Sequence, residues 1–345
     1  MTTLEDLGGW PATLGSLTAG ENITAEHAQA VLRTILDGEA TDAQIAAFIT
    51  ALRQKGESVE ELTGLVQAMR SVATPLDVAD DAIDIVGMGG SPSRRKAALN
   101  VSTMACFVAA GAGAVVCKHG NRKASSTSGS FDLLEALGVN FDVTPEKLAA
   151  VIAEVGVGFA FARTYHPAMR HVGPVRMQLG IPTVFNALGP LAHPGQLTRQ
   201  VVGVADVDLA GRMAEVLRAT GSTDAWVVTG DGSLDEISLG PTTVHELRDG
   251  AISSFTFDPA DYGIAVAPEG ALDGGDATAN AAIAHRLFAG ERGPVRDIVS
   301  LNAAAGLVVA GIASDFADGL ARAGESLDSG AAAAKLAGLV SASAD

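Results

Sequence analysis

The chain predicts an α/β protein: a small all-helical N-terminal unit, then a large unit built on a mainly parallel central sheet. Three observations carry this. No strand pattern occurs before residue 82. After Pro75, short β-branched runs alternate with glycine loops and helical stretches, the pattern of a parallel sheet covered on both faces. From residue 301 onward the pattern is helical again. The small unit is assigned to residues 1–73, joined by a helical segment at about 166–185, and the large unit to 74–345.

Taken in order, residues 24–72 read as three short amphipathic helices. Thr24-Ala25-Glu26 opens the first. Thr41 with Gln44, and Ser58 with Glu61, have capping-box spacing and open the next two. Ile45, Phe48, Ile49 and Leu52 recur at helical spacing. Ile83 to Val86 is then a strand, Gly87-Met88-Gly89-Gly90 a loop, and Val101 to Ala112 an apolar helix begun by Asn100 or Ser102. Ala114 to Cys117 is the next strand, and Gly129 to Leu137 the next helix. Gly156 to Ala162, Val201 to Ala205 and Ala225 to Val228 are further strands. His166 to Leu179 reads as one helix interrupting the sheet pattern, and Pro182 to Pro194 as a loop. That segment is expected to fold back on the N-terminal helices, placing a site between the two units. Residues 242–257 alternate apolar and polar about Arg248-Asp249-Gly250, a hairpin.

Composition narrows the function classes. The 345 residues include 40 glycines, 48% hydrophobic and 4% aromatic residues, enough for a large core. Lys+Arg number 23 against 40 Asp+Glu, a net charge of −17 that disfavours non-specific binding to nucleic acid or an anionic membrane. Cys106 and Cys117 lie in apolar runs and read as small core residues, neither a disulfide framework nor a zinc site. Met1 to Trp10 carries no secretory pattern, and the apolar runs break before membrane-spanning length, so a soluble cytoplasmic protein is expected.

The chemistry concentrates after the strands, where open α/β sheets bind ligands. Gly87 to Gly90 is a candidate phosphate cradle, since glycine lets backbone N–H groups approach an anion. A simple tight turn is the plainer reading. Asn100, Ser102 and Thr103 place hydrogen-bonding side chains at a helix N-terminus, where one would suffice as a cap. Lys118-His119-Gly120-Asn121-Arg122 and Ser125 to Ser130 add two cations, an imidazole, an amide and hydroxyls, a mixture suited to an anionic, oxygen-rich ligand. His119 alone reads better as a structural histidine. Asp235-Glu236 is an acidic pair able to hold Mg²⁺ together with water and phosphate, or a solvated turn. Arg176, on the interrupting segment with His166 and Arg170, offers a fork for a carboxylate or a surface ion pair. Arg94-Arg95-Lys96 is a basic triplet in the glycine loop. A Walker loop, a nucleophile elbow and a full dinucleotide fingerprint are absent from the sequence.

Several long blocks, in order, resemble the anthranilate phosphoribosyltransferase family: Lys118 to Gly138, His166 to Pro190, Asp231 to Ser238, Gly274 to Ala277 with Asn280, and Gly293 to Asp297 with Leu301-Asn302-Ala303. The resemblance implies a small helical domain plus an α/β domain of the nucleoside phosphorylase and phosphoribosyltransferase type, and a homodimer through the helical part. It also implies transfer of the phosphoribosyl group of phosphoribosyl pyrophosphate to anthranilate, with Mg²⁺. On this resemblance, Gly87, Gly90, Ser91, Asn100, Ser102, Thr103, Lys118, Ser126 and Ser130 are expected to contact the donor. Gly87, Asn121 and Arg176 are expected to contact the acceptor, and Ser102, Asp235 and Glu236 the metal.

The family loop reads Gly-Thr-Gly-Gly-Asp-Gly. Here it is Gly87-Met88-Gly89-Gly90-Ser91-Pro92, three residues longer, with Ala98 in place of a threonine and the basic triplet filling the extension. A carboxylate and two hydroxyls are thereby lost. The competing readings are a paralogue with another donor or acceptor, and a non-catalytic binder of polyanions. The net charge of −17 and the retained Arg176 and Asp235-Glu236 oppose the last.

Overall fold

A computed structural model describes residues 2–344 apart from 90, 92–96, 124–125 and 232–233. Gly90, the Arg94-Arg95-Lys96 triplet and Ser125 lie outside the described residues.

Four helices open the chain: α1 (Gly9–Thr18), α2 (Ala25–Leu36), α3 (Asp42–Lys55) and α4 (Val59–Val72). The last three are those read from the sequence. Thr24 caps α2, and both capping boxes form, at Thr41 with Gln44 and Ser58 with Glu61. The Glu61 carboxylate is buried. It accepts from Ser58 N and Lys55 Nζ, both at 2.8 Å, and from Ile23 N at 3.1 Å, tying three segments together.

The large unit follows, with helices α5 (Val101–Gly111), α6 (Ser130–Ala136), α7 (Pro145–Val155), α8 (Ala162–Tyr165), α9 (Gly173–Leu179), α10 (Val184–Leu191), α11 (Val207–Ala219), α12 (Ala277–Phe288), α13 (Pro294–Val309), α14 (Phe316–Asp328) and α15 (Ala331–Ala344). Its strands are β1 (Ile83–Gly87), β2 (Val116–Gly120), β3 (Val157–Phe161), β4 (Arg199–Gly203), β5 (Asp224–Gly230), β6 (Thr242–Arg248) and β7 (Ala251–Phe257). They form one seven-stranded sheet in the order β3-β2-β1-β4-β5-β6-β7. The first five are parallel, and β6–β7 is the expected antiparallel hairpin. Asp249 and Gly250 at its turn both have positive φ, which two-residue hairpins demand.

Alternation along the strands divides the core. Ile83, Ile85, Val201, Trp226 and Val228 face a cluster built with α5, α13, α14 and α15. Val86, Val202, Val204 and Val227 face a second cluster shared with α2, α3, α4, α10 and α11. Val172, Val175, Val184 and Phe185 belong to that second cluster, so the 166–185 segment does pack on the N-terminal helices. Cys106 and Cys117 are free and buried.

Three local readings are corrected. His166 to Leu179 is not one helix: Pro167–His171 is a 3₁₀ turn, and α9 starts afresh at Gly173. Pro167 and Pro174 lack the N–H that a continuous helix needs. The stretch after Pro182 is not a loop but contains α10, which carries Pro190 near its end. The second strand also runs Val116–Gly120, later than read, so Lys118 and His119 lie within it and point to opposite faces.

Candidate active site

The chain runs β1, β2, β3 toward one edge and then crosses back to lay β4 on the other side of β1. The carboxyl ends of β1 and β4 are thus the topological switch point, where doubly wound sheets open a crevice. Two glycines, Gly87 and Gly203, end these strands and are paired in register. They admit the Asp235-Glu236 loop. A Cβ on Gly203 would lie 1.8 Å from the Asp235 carbonyl oxygen, and one on Gly87 would lie 2.7 Å from Asp235 Oδ2. Asp235 Oδ2 in turn accepts from Gly89 N at 2.7 Å. The glycine loop and the acidic pair, far apart in sequence, therefore meet in one place.

The acidic loop is held on both flanks. Gly230 and Leu234 exchange backbone hydrogen bonds of 2.9 and 2.7 Å. On the other side, the Asn302 amide of α13 accepts from Ile237 N at 3.0 Å and donates to Ile237 O at 2.9 Å. Asp235 is half-buried and Glu236 buried.

A second polar assembly forms at the start of α5. Asn100 occupies the cap position without capping, which corrects its reading as the helix opener's cap. Its side chain instead accepts from Ser128 Oγ at 2.8 Å and donates to Ser128 O at 3.4 Å. Ala98 N donates to Thr127 Oγ1 at 3.0 Å. The serine block and the Asn100 block are one assembly. Asn280 braces it from α12, donating to Ala98 O at 2.9 Å and accepting from Asn100 N at 3.3 Å. Ser102 is half-buried in the first turn of α5, while Thr103 and Ser91 are buried. Ser126 Oγ donates to Ser128 O and Ser130 Oγ to Asn121 O, both at 3.1 Å, while the Asn121 side chain is exposed.

Lys118 is buried, and its ammonium donates to Ile85 O at 2.8 Å, near the end of β1. Behind it Asp84 is fully buried. Burial pushes its carboxyl up to about 7, opposed by the Lys118 charge and the His119 backbone N–H.

On the helical side, the Arg176 guanidinium is half-buried and lies over the Phe185 ring at 5.4 Å. It donates to Asn186 Oδ1 at 3.3 Å, and among the described residues no carboxylate lies within ion-pair distance. Burial lowers its pKa. Met88 of the glycine loop packs on the same apolar cluster as Phe185. The helix α10 that carries Phe185 and Asn186 is fixed at its C-terminal turn, whose carbonyls lack intrahelical partners. His119 Nδ1 donates to Gly189 O (3.0 Å), Gln200 Nε2 to Pro190 O (3.1 Å) and Arg70 Nη2 to Leu191 O (2.9 Å). His119 is thus the structural histidine its position suggested. It gathers with His166 and His193, at centroid distances of 5.2 and 5.6 Å. Burial is the leading cause that holds all three neutral, pushing His119 well below the ordinary range, His166 to about 4 and His193 to about 3.

This geometry brings Gly87, Gly89 and Gly203 together with the Asp235-Glu236 loop, and Asn100 together with Ser128 and Asn280. Gly203, which meets the Asp235 backbone, Asn280, which bonds Ala98 and Asn100, and Asn302, which bonds Ile237, were not singled out as part of the site by the sequence reading. A glycine closing a strand was the only local sign of the first. Among the described residues no three His, Cys, Asp or Glu side chains converge as a ready-made metal centre. Two adjacent carboxylates beside a glycine loop fit Mg²⁺, which takes few protein ligands and completes its shell with phosphate and water.

Sequence profiles of the glycosyl transferase family match residues 11–73 (helical bundle domain) and 79–333 (a/b domain). The anthranilate phosphoribosyltransferase of Afipia carboxidovorans is 48% identical over 338 residues, covering 98% of this chain and 99% of that protein. The crystal structure of the Thermus thermophilus anthranilate phosphoribosyltransferase superposes with a TM-score of 0.90 at 41% identity, covering 96% of this chain and 99% of that one. The Saccharomyces cerevisiae enzyme, solved in complex with PRPP and Mg, gives a TM-score of 0.87 at 27% identity, covering 97% and 98%. With the fold, the switch-point site and near-complete coverage in agreement, the chain belongs to the anthranilate phosphoribosyltransferase family.

Proposed function

We propose that the protein transfers the phosphoribosyl group of phosphoribosyl pyrophosphate to the amine of anthranilate and releases pyrophosphate. The observation that supports the reading is the seating of Asp235 against the glycine loop, between Gly87 and Gly203. Breaking the bond from C1 of ribose to pyrophosphate leaves positive charge on the sugar and a polyanionic leaving group. Mg²⁺ held by Asp235, Glu236 and Ser102 would neutralise the departing diphosphate. The N–H groups about Gly87 to Ser91 and the Asn100 to Thr103 turn would bind phosphate, with Lys118, Ser126 and Ser130 as further donor contacts. Gly89 N–H, now given to Asp235, is one such donor.

An aromatic amine is neutral at pH 7, so the acceptor needs orientation more than a base. Arg176 would take its carboxylate, with Asn121 and Gly87 beside it. The guanidinium lies over the Phe185 ring, and among the described residues it has no carboxylate partner. The same reading includes a cytoplasmic homodimer joined through the helical unit, which sedimentation of the pure protein tests.

A panel of acceptors separates this reading from a paralogue. Pyrophosphate release from the donor should require anthranilate and be slower by orders of magnitude with 3- or 4-aminobenzoate or with inorganic phosphate. Preference for another acceptor would assign the chain a different transfer.

A further inference from the structure

We infer that Asn302 is a positioning residue for the metal site. It holds the acidic pair in place through the backbone of Ile237; this rests on the metal reading of Asp235 and Glu236. Asn302 lies in α13, whose neighbouring residues Ile298, Val299, Leu301, Ala303, Ala304 and Ala305 are all buried apolar groups. A carboxamide there is expensive unless every polar atom is used. All are used: Oδ1 accepts from Ile237 N, and Nδ2 donates to Ile237 O and to Ile298 O, both at 2.9 Å. The amide serves Ile237 as a neighbouring strand would, pairing with both its N–H and its C=O.

Ile237 directly follows Glu236 and is itself fully buried. Leu234, on the other side of the pair, is bridged to Gly230. The two carboxylates therefore project from a two-residue span fastened at each end, and Asn302 is the fastening from outside the loop. Truncating it leaves the Ile237 backbone groups buried without partners and frees the C-terminal flank of the pair. Groups that orient metal ligands typically change metal affinity by about 10–100-fold when lost.

The test uses the full-length protein and Mn²⁺ as the probe, with inorganic pyrophosphate present and binding followed by electron paramagnetic resonance. Asn302→Ala should raise the Kd for Mn²⁺ by about tenfold or more. In the metal-free protein, hydrogen exchange should rise in the peptide spanning residues 234–240. Ser326→Ala removes another buried hydrogen bond, from Ser326 Oγ to Val108 O at 2.8 Å, and should change neither readout. If Asn302→Ala does not fold, the milder Asn302→Ser serves in its place. Unchanged Mn²⁺ affinity in a folded Asn302 variant, with normal binding by the wild type, overturns the inference alone. Failure of the wild type to bind Mn²⁺ overturns the metal reading and the inference with it.

Discussion

Gly203→Ala tests the geometry of the switch point most sharply. The new Cβ would stand 1.8 Å from the Asp235 carbonyl oxygen, 2.2 Å from its carbonyl carbon and 2.8 Å from Glu236 N. All three are backbone atoms, so no rotamer change relieves the clash. Ordinary contact begins near 3.4 Å, so the acidic loop must retreat by roughly 1.5 Å, at a cost of about 1–3 kcal/mol for an overpacked site. A displacement of that size at a reacting centre costs about 100-fold in rate. Urea denaturation and steady-state kinetics across a magnesium titration measure the two effects. The predicted variant is folded, modestly less stable, about 100-fold lower in kcat/KM, and in need of more magnesium. Gly15→Ala, in α1 with nothing within 4 Å of the added methyl, is the control and should be neutral or up to about 1 kcal/mol more stable. A Gly203→Ala enzyme with wild-type kinetics would refute the claim that the missing side chain seats the acidic loop.

Other perturbations have equally direct readouts. Arg176→Ala removes a charge-assisted contact and should raise the KM for anthranilate about 10- to 100-fold while sparing that for the donor; equal changes in both would remove Arg176 from the acceptor site. Asp235→Asn should weaken the magnesium dependence of turnover, and an unchanged titration would take Asp235 out of the metal site. Glu61→Ala removes the carboxylate paired with the buried Lys55 Nζ, strands two backbone N–H groups and should destabilise the protein by about 3–5 kcal/mol in urea; a loss below about 1 kcal/mol would show that the buried pair is dispensable. The buried histidines set an acid limit. Their folded pKa values lie below the ordinary 6.5, so below pH 6.5 the unfolded chain takes up protons that the folded chain refuses, and stability falls with pH. Asp84 works the other way between 3.8 and about 7, because its folded carboxyl keeps a proton the unfolded one loses. Three such groups against one leave a net loss of about 2–3 kcal/mol per pH unit near pH 5, which unfolding curves from pH 7 to 4.5 measure; a flat profile would contradict the buried neutral cluster.

What the sequence discloses here is whatever depends on near neighbours. Capping boxes at Thr41 and Ser58 are four-residue patterns, and both form. The strand alternation and the Asp249-Gly250 turn are likewise local. Helix α1 escaped notice because Gly9, Pro11 and Gly15 dilute its helical signal. Pro190 made α10 look like a loop, yet its carbonyl is held by Gln200 from β4, a contact no local pattern announces. The individual polar residues of the site were legible, since charged and amide groups after strands stand out from an apolar background. Their assembly was not. Asp235 reaches Gly89 across 146 positions, and Asn280 reaches Ala98 across 182, distances that only the folded topology closes. Asn302 in an apolar helix was a visible oddity, but its partner emerges only when α13 packs beside the acidic loop.

The central claim is that this crevice binds phosphoribosyl pyrophosphate and anthranilate together and joins them. Loss of anthranilate fluorescence on mixing the protein with both substrates tests it, with and without Mg²⁺. Magnesium-dependent loss, abolished by chelation and accompanied by pyrophosphate release, is the predicted result. A folded protein that leaves the fluorescence unchanged at every magnesium concentration would contradict the account.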